Sequence, residues 1–278
     1  MKTILITLIA ISVSLLTACS SCCQKEVKKA PRKVAVQTYT FHKFTLEETI
    51  EMLKKTDVRA LECWDWQPLS KKFPNARFNS KMTPEQREFA KKLIFGNGFK
   101  IIGTGVVTAK NAGDPEEVCK FAKEFNIPVI TTEATKEQLP LWEKTCQKYG
   151  IKMAIHNHQR GSGNDYYKPE LVMSMVKDYK NIGCCPDNGA WSRSGLDPVK
   201  SFKIMKGKIL IVHFKDQKVF NNLESPAAIY GTGVLDMKAM LAELDAQGYD
   251  GYLVIEHGDD SDNPLPVVIA DSKFLSEN

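Results

Sequence analysis

From residue 34 onward the chain alternates short apolar runs with longer segments whose apolar residues recur at helical spacing. The runs VAVQTY (34–39), ALECW (60–64), KIIGTGVV (100–107), PVITTE (128–133), KMAIHNH (152–158), GCCPD (183–187), ILIVHF (209–214) and YLVIEH (252–257) read as strands. Between them 46–56, 83–95, 114–125, 136–150, 168–179, 197–207 and 235–248 read as helices, and an apolar tail helix starts near Leu265. Two of these helices open on Thr83-Pro84 and Asp114-Pro115, an N-cap residue followed by proline at the first helical position. The helix at 136–150 stops at Gly150.

Eight strand–helix units therefore follow one another without a Pro/Gly-rich linker. Alternating units with buried, β-branched strands imply a parallel sheet. Eight of them in this length predict an α/β fold, a closed (β/α)8 TIM barrel forming a single domain over residues 34–278. No GxGxxG follows the first strand, which removes the main cue for an open dinucleotide-binding sheet.

The residues before the barrel read as a processing signal. Lys2 precedes an apolar run from Ile4 to Leu16, too short to span a bilayer, which ends in Leu16-Thr17-Ala18-Cys19. The pattern resembles a bacterial lipoprotein lipobox, with 1–18 as signal peptide, Cys19 as the lipidated N-terminus and residues up to 33 as a polar, basic tether. The alternative is a plain signal peptide with a chance cysteine. The expectation is an exported protein, lipid-anchored at the membrane and facing the periplasm or cell surface. Ser20 favours the outer membrane if the host is Gram-negative.

Removing residues 1–18 takes away one lysine and leaves a net charge of +4 on a chain long enough for one large core. Acidic and basic residues are interspersed and part of the excess lies in the tether, so the charge does not indicate nucleic acid. Cys63, Cys119, Cys146, Cys184 and Cys185 sit in apolar segments without zinc-like spacing, which reads as buried packing.

In a barrel of this kind functional groups sit where strands pass into the following loops. Glu133 ends the fourth strand, His156 and His158 the fifth, Asp187 the sixth, His213 with Lys215 the seventh, and Glu256 with His257 the eighth. Alternation along a strand puts His156 and His158 on one face, and likewise His213 and Lys215. The inward positions below them, Ala154, Cys185, Ile211 and Val254, are small or apolar, as a barrel interior requires. Clustered carboxylates repel one another unless a cation compensates. Mixed nitrogen and oxygen donors suit Mn, Zn, Co or Fe better than Ca. The expected ligands are Asp187, His213 and Glu256, with His156 or Glu133 as the fourth.

The segments AIHNH, PDNGAWSRSGLDPVK, VHFKD and VIEH resemble the xylose-isomerase-like TIM barrels, the sugar phosphate isomerase/epimerase family, kin to the AP endonucleases of family 2. The resemblance spans 34–275 and implies metal ligands at His156, Asp187, His213 and Glu256. Two positions depart from the ketose epimerases of that family. His156 stands where they place a metal-binding, proton-moving glutamate, and Ala190 stands where they often carry a histidine. Members acting as lyases or hydratases on 3-keto-sugars place a histidine where this chain has His158.

The resemblance thus implies His156 as a neutral ligand and His158 as acid/base. Lys215 is expected either to neutralise a developing oxyanion or to pair with Glu256 or Asp216, and Glu256 is expected to serve in catalysis as well as binding. Trp64 and Trp66 after the second strand, and Trp191 after the sixth, are candidate covers for a sugar ring, or else rim packing. His257 is expected to face the helices.

The function expected is a divalent-metal-dependent enzyme that enolises a non-phosphorylated keto-sugar, a 3-keto-glycoside or its 2-hydroxy-glycal, leading to elimination or hydration. The alternatives are an aldose–ketose isomerase or ketose epimerase, and a non-catalytic sugar-binding lipoprotein. The partner is a small sugar, with no nucleic acid. DNA repair fails because a trinuclear site needs more histidines than the five present.

Overall fold

The computed structural model describes residues 31–107, 114–258 and 261–278. The expected signal peptide, the lipidation at Cys19 and the tether up to residue 30 lie outside the described residues. Among those described, no helix is long and apolar enough to cross a membrane. Arg32 and Lys33, expected in the tether, are part of the fold. The guanidinium of Arg32 forks onto Asp245 at 2.9 Å for each bond, and Lys33 opens the first strand.

Eight parallel strands form the barrel: β1 (Lys33–Gln37), β2 (Ala60–Cys63), β3 (Lys100–Val107), β4 (Val129–Thr132), β5 (Lys152–His156), β6 (Ile182–Cys185), β7 (Val212–Phe214) and β8 (Tyr252–Ile255). Each pairs with its neighbours in sequence, and β8 pairs with β1. The join between β6 and β7 is made by bridges at Cys184–Ile209 and Asp187–His213. The chain before β7 comes so close to β6 that a Cβ on Gly183 would lie 2.4 Å from the Lys208 carbonyl oxygen. The strand expected from 209 is regular only from Val212.

Helices α1 (Leu46–Leu53), α2 (Pro84–Phe95), α3 (Pro115–Glu124), α4 (Leu139–Tyr149), α5 (Pro169–Val176), α6 (Pro198–Ile204), α7 (Met237–Ala246) and α8 (Leu265–Glu277) cover the outside. Thr45 and Thr83 form capping boxes with Glu48 and Gln86, and Asp114, Asp197 and Asp236 cap α3, α6 and α7. Three features were not expected from the sequence. They are a hairpin of Pro68–Ser70 with Phe73–Arg77, a short ribbon of Asp216–Gln217 with Ala227–Ala228, and a one-turn helix at Asn188–Arg193.

The barrel interior is layered. Ala35, Ala60, Ile102, Ala154, Cys185, Ile211 and Val254 form a separate apolar cluster at its centre, with Val129 against it. Two residues further along the eight strands stand Gln37, Glu62, Thr104, Thr131, His156, Asp187, His213 and Glu256. Side chains two apart share a face, so an apolar floor is capped by a polar layer at the C-terminal mouth. All five described cysteines are buried thiols.

Candidate metal centre and active-site cleft

The polar layer brings four ligand-type side chains together. One donor atom from each of His156, Asp187, His213 and Glu256 lies within 4.8 Å of the others. His156 Nε2 is 3.8 Å from Asp187 Oδ2, and His213 Nδ1 is 2.7 Å from Glu256 Oε2. Both ring nitrogens of His156 are buried without a hydrogen-bond partner. Buried polar atoms are nearly always satisfied. Two imidazole nitrogens and two carboxylates converging here make the mixed donor set of a divalent cation of the Mn, Zn, Co or Fe type, with the Lys215 ammonium paired to both carboxylates.

Neighbouring groups aim these donors. Asp187 is held by a reciprocal pair with Asn157, whose Oδ1 accepts the Asp187 N–H at 3.0 Å and whose Nδ2 donates to the Asp187 carbonyl at 3.1 Å. Its Oδ1 also caps the one-turn helix by accepting from the Ala190 N–H at 2.9 Å, leaving Oδ2 for the cluster. His213 Nε2 lies 2.7 Å from Glu62 Oε2, and Glu62 Oε1 accepts from the Thr131 hydroxyl at 2.6 Å. With the proton on Nε2, Nδ1 faces the cleft as a ligand.

The electrostatics agree with a cation site. Burial, reinforced by the imidazoles of His158 and His213, holds the His156 pKa well below the usual histidine range, so the ring is neutral at pH 7. Burial works against a charged His213, but Cys185, Glu62 and Glu256 outweigh it and raise its pKa. Burial likewise opposes the Glu256 carboxylate, and Lys215 and His213 overcome it to hold that group ionised.

Lys215 sits inside this cluster. Its Nζ is 2.8 Å from Asp187 Oδ2 and 3.1 Å from Glu256 Oε2, so both carboxylates share one ammonium. Burial works against that charge, and the two carboxylates more than offset it, raising the lysine pKa. Of the pairings expected for Lys215, the one with Glu256 is present. Asp216 instead turns away and accepts backbone N–H groups from Gly231, Gly233 and Leu235.

Glu133 lies outside the group of Asp187, His213 and Glu256, which His156 completes. Its carboxylate grips His158 Nδ1 instead. It joins His156 and His158 in a second group of ligand-type atoms. The His158 side chain is 46 % exposed, and its ring centroid is 4.7 Å from that of His156. Burial pulls the His158 pKa down, but the hydrogen bond and charge of Glu133 overcome it and hold the imidazole above its ordinary value.

The cleft over this cluster has a volume of about 550 Å³ and is lined in part by Tyr39, Trp64, Trp66, His158, Lys215 and Glu256. Two of the three expected tryptophans border it. Trp191 does not. The one-turn helix presents Ala190 to the cleft and carries Trp191 into the core, fully buried edge-on against Phe202 with ring centroids 5.3 Å apart. Tyr39, which reading strand ends did not single out, lies edge-on to Trp64 at 5.1 Å on the cleft wall. His257 faces the helices as expected, 2.6 Å from Asp271 Oδ2 on α8. His42 stacks on Tyr39 behind that wall.

Glu62, which sits behind His213, is the residue of this polar layer that strand-end reading missed. It was legible as the one charged residue inside the apolar run ALECW.

Comparison with known proteins gives the family and the fold. The chain is 26 % identical over 244 residues to the inosose dehydratase of Lactiplantibacillus plantarum, covering 70 % of this chain and 80 % of that one. A crystal structure of an uncharacterised protein from Parabacteroides distasonis superposes with a TM-score of 0.71 at 29 % identity, covering 89 % of this chain and 99 % of that one. A xylose isomerase-like TIM barrel protein from Mycobacterium smegmatis, solved in complex with magnesium, gives 0.70 at 12 % identity, covering 88 % and 96 %. The model of the xylose isomerase-like TIM barrel family matches residues 50–278, and this chain belongs to that family.

Proposed function

We propose that the protein is a divalent-metal-dependent lyase or hydratase that enolises a non-phosphorylated keto-sugar, a 3-keto-glycoside or its 2-hydroxy-glycal. The observation that carries this reading is the single imidazole of His158, anchored by Glu133, standing beside the His156–Asp187–His213–Glu256 cluster. Two-base epimerisation needs a proton-moving group on each face of the sugar. Here β5 offers a histidine instead of a second carboxylate, and Glu256 is engaged by His213 and Lys215.

When bound, the cation supplies Lewis-acid polarisation of the sugar carbonyl. Glu133 holds His158 Nδ1, so Nε2 is the atom that takes the carbon-bound proton next to the carbonyl. The Lys215 ammonium stands where negative charge grows on the enediolate oxygen. His158 then returns the proton to the departing oxygen as the adjacent C–O bond breaks, releasing water or an alcohol, and the reverse sequence is hydration. Trp64 and Tyr39 provide flat apolar surfaces against the ring and keep water from the carbanion face.

The cleft's basic groups support a non-phosphorylated substrate. Lys215 is bound to two carboxylates, and Arg193 Nε donates to Gln217 Oε1 and the Ser225 carbonyl at 3.2 and 3.1 Å. Export on a lipid anchor, the reading of residues 1–19, points the same way. The relative named as an inosose dehydratase supports loss of water from a keto-polyol.

The test is to incubate metal-loaded protein with 3-keto-glycosides and glycals in deuterated water and follow the products by NMR. Release of the aglycone, or hydration of the glycal, is the expected result. Deuterium exchange without loss of the aglycone assigns the site to isomerisation or epimerisation, and saturable binding without exchange assigns it to a non-catalytic sugar binder.

A further inference from the structure

Trp66 is 48 % exposed and borders three hollows. One is the cleft above the cation cluster. The second, of about 210 Å³, lies between the loop after β2, the end of β3 and α3. The third is a basin of about 560 Å³, floored by the Pro68–Arg77 hairpin and as large as the cleft itself. The last two share Trp66, Asn79 and Lys81, so they form a continuous recess that meets the cleft at the indole.

Asp65 opens into this recess and is only 9 % exposed. Its Oδ1 is buried and accepts no hydrogen bond from the protein. An acidic oxygen kept from water without a donor destabilises the fold, and such costs concentrate where a ligand supplies the missing partner. Arg77 spends Nη1 on the carbonyls of Pro74 and Ala76, and Lys81 pairs with Glu117 at the exposed rim. A flat indole beside a carboxylate, with cationic donors on the rim, suits a ring that has an apolar face and a hydroxylated edge.

We propose that this recess is a second sugar subsite, so that the substrate is a glycoside whose leaving group is itself a sugar, laid across Trp66 with a hydroxyl donating to Asp65. The assignment of the first ring to the cleft rests on the function proposed above. The recess itself does not, because it stands on Trp66 and Asp65. An aromatic aglycone would also stack on the indole, but it would leave Asp65 without a donor.

The experiment is calorimetric titration of the Mn-loaded protein with unoxidised glycosides, which need no turnover. The probes are methyl β-D-glucoside, p-nitrophenyl β-D-glucoside, cellobiose, trehalose and sucrose. At least one disaccharide is expected to bind about tenfold or more tightly than the methyl glucoside, the size of one added hydrogen bond. Asp65→Ala should remove most of that advantage while leaving the methyl glucoside affinity within about twofold. Ser80→Trp, which plugs the recess from its rim, should do the same and guards against a folding defect in the first variant.

The proposal is overturned if no disaccharide exceeds the methyl glucoside, or if the advantage survives both variants. It is also overturned if the p-nitrophenyl glucoside gains as much and is indifferent to Asp65. A wild-type protein that shows the disaccharide advantage yet eliminates nothing from any keto-glycoside contradicts the proposed reaction and leaves the subsite standing.

Discussion

Glu62 Oε2 lies 2.7 Å from His213 Nε2 in the closed interior of the barrel, and this contact decides which nitrogen His213 turns to the cleft. The carboxylate keeps the proton on Nε2 and makes Nδ1 the donor that faces Glu256. Carboxylate–histidine pairs of this kind set both the tautomer and the basicity of a metal-binding ring.

Glu62→Gln should therefore weaken divalent-metal affinity by about 10- to 100-fold without touching the cation itself. Competition against a fluorescent chelator measures it. Unchanged affinity would mean that Glu62 only fills the interior.

His158→Gln is expected to keep its metal and lose turnover by about 10²- to 10⁴-fold, because it removes the group that moves the proton and none of the four ligands. Metal analysis and steady-state kinetics on the same preparation separate the two effects. Full activity in this variant would remove His158 from the chemistry.

Asp65 gives a pH dependence of stability away from the cluster. Burial, only partly countered by its own backbone N–H, raises its pKa to about 7, against about 3.9 in the unfolded chain. Between those values the folded protein binds more protons than the unfolded one, so this group's contribution falls as pH rises from about 4 to 7. Asp65→Asn removes the penalty. The variant should match the parent near pH 4 and exceed it by ~2–4 kcal/mol above pH 7, the size expected for a shift of about three units. Urea unfolding at pH 4.5, 6 and 8 reads the trend, and a pH-independent difference would show that Asp65 is not held neutral by the fold.

Much of this was legible in the chain. The eight strand–helix units stand in the structure in the expected order, and so does the apolar floor of Ala154, Cys185, Ile211 and Val254. Stepping two residues from that floor reaches His156, Asp187, His213 and Glu256, because alternation along a strand fixes which face a side chain takes. The same step from Ala60 reaches Glu62, which was hidden because it lies within a strand and not at its end.

Trp191, on the short helix that follows β6, takes the packing role of its two readings, and Glu133 turns to His158, apart from Asp187, His213 and Glu256. The Pro68–Arg77 hairpin gave little signal because its strands are short and KKFPNAR is mostly polar. Whether Lys215 pairs with Glu256 or Asp216 depended on a ribbon formed with residues 227–228, which no local pattern announces.

The central claim is that His156, Asp187, His213 and Glu256 hold one divalent cation. The most direct measurement is metal content after purification and reloading, for the wild-type protein and for Asp187→Ala, His213→Ala and Glu256→Gln. The account expects one equivalent of a transition metal in the wild type and its loss in each variant, with the folded state retained. Wild-type protein that binds no divalent metal at micromolar concentration, or variants that bind as well as the parent, would contradict it.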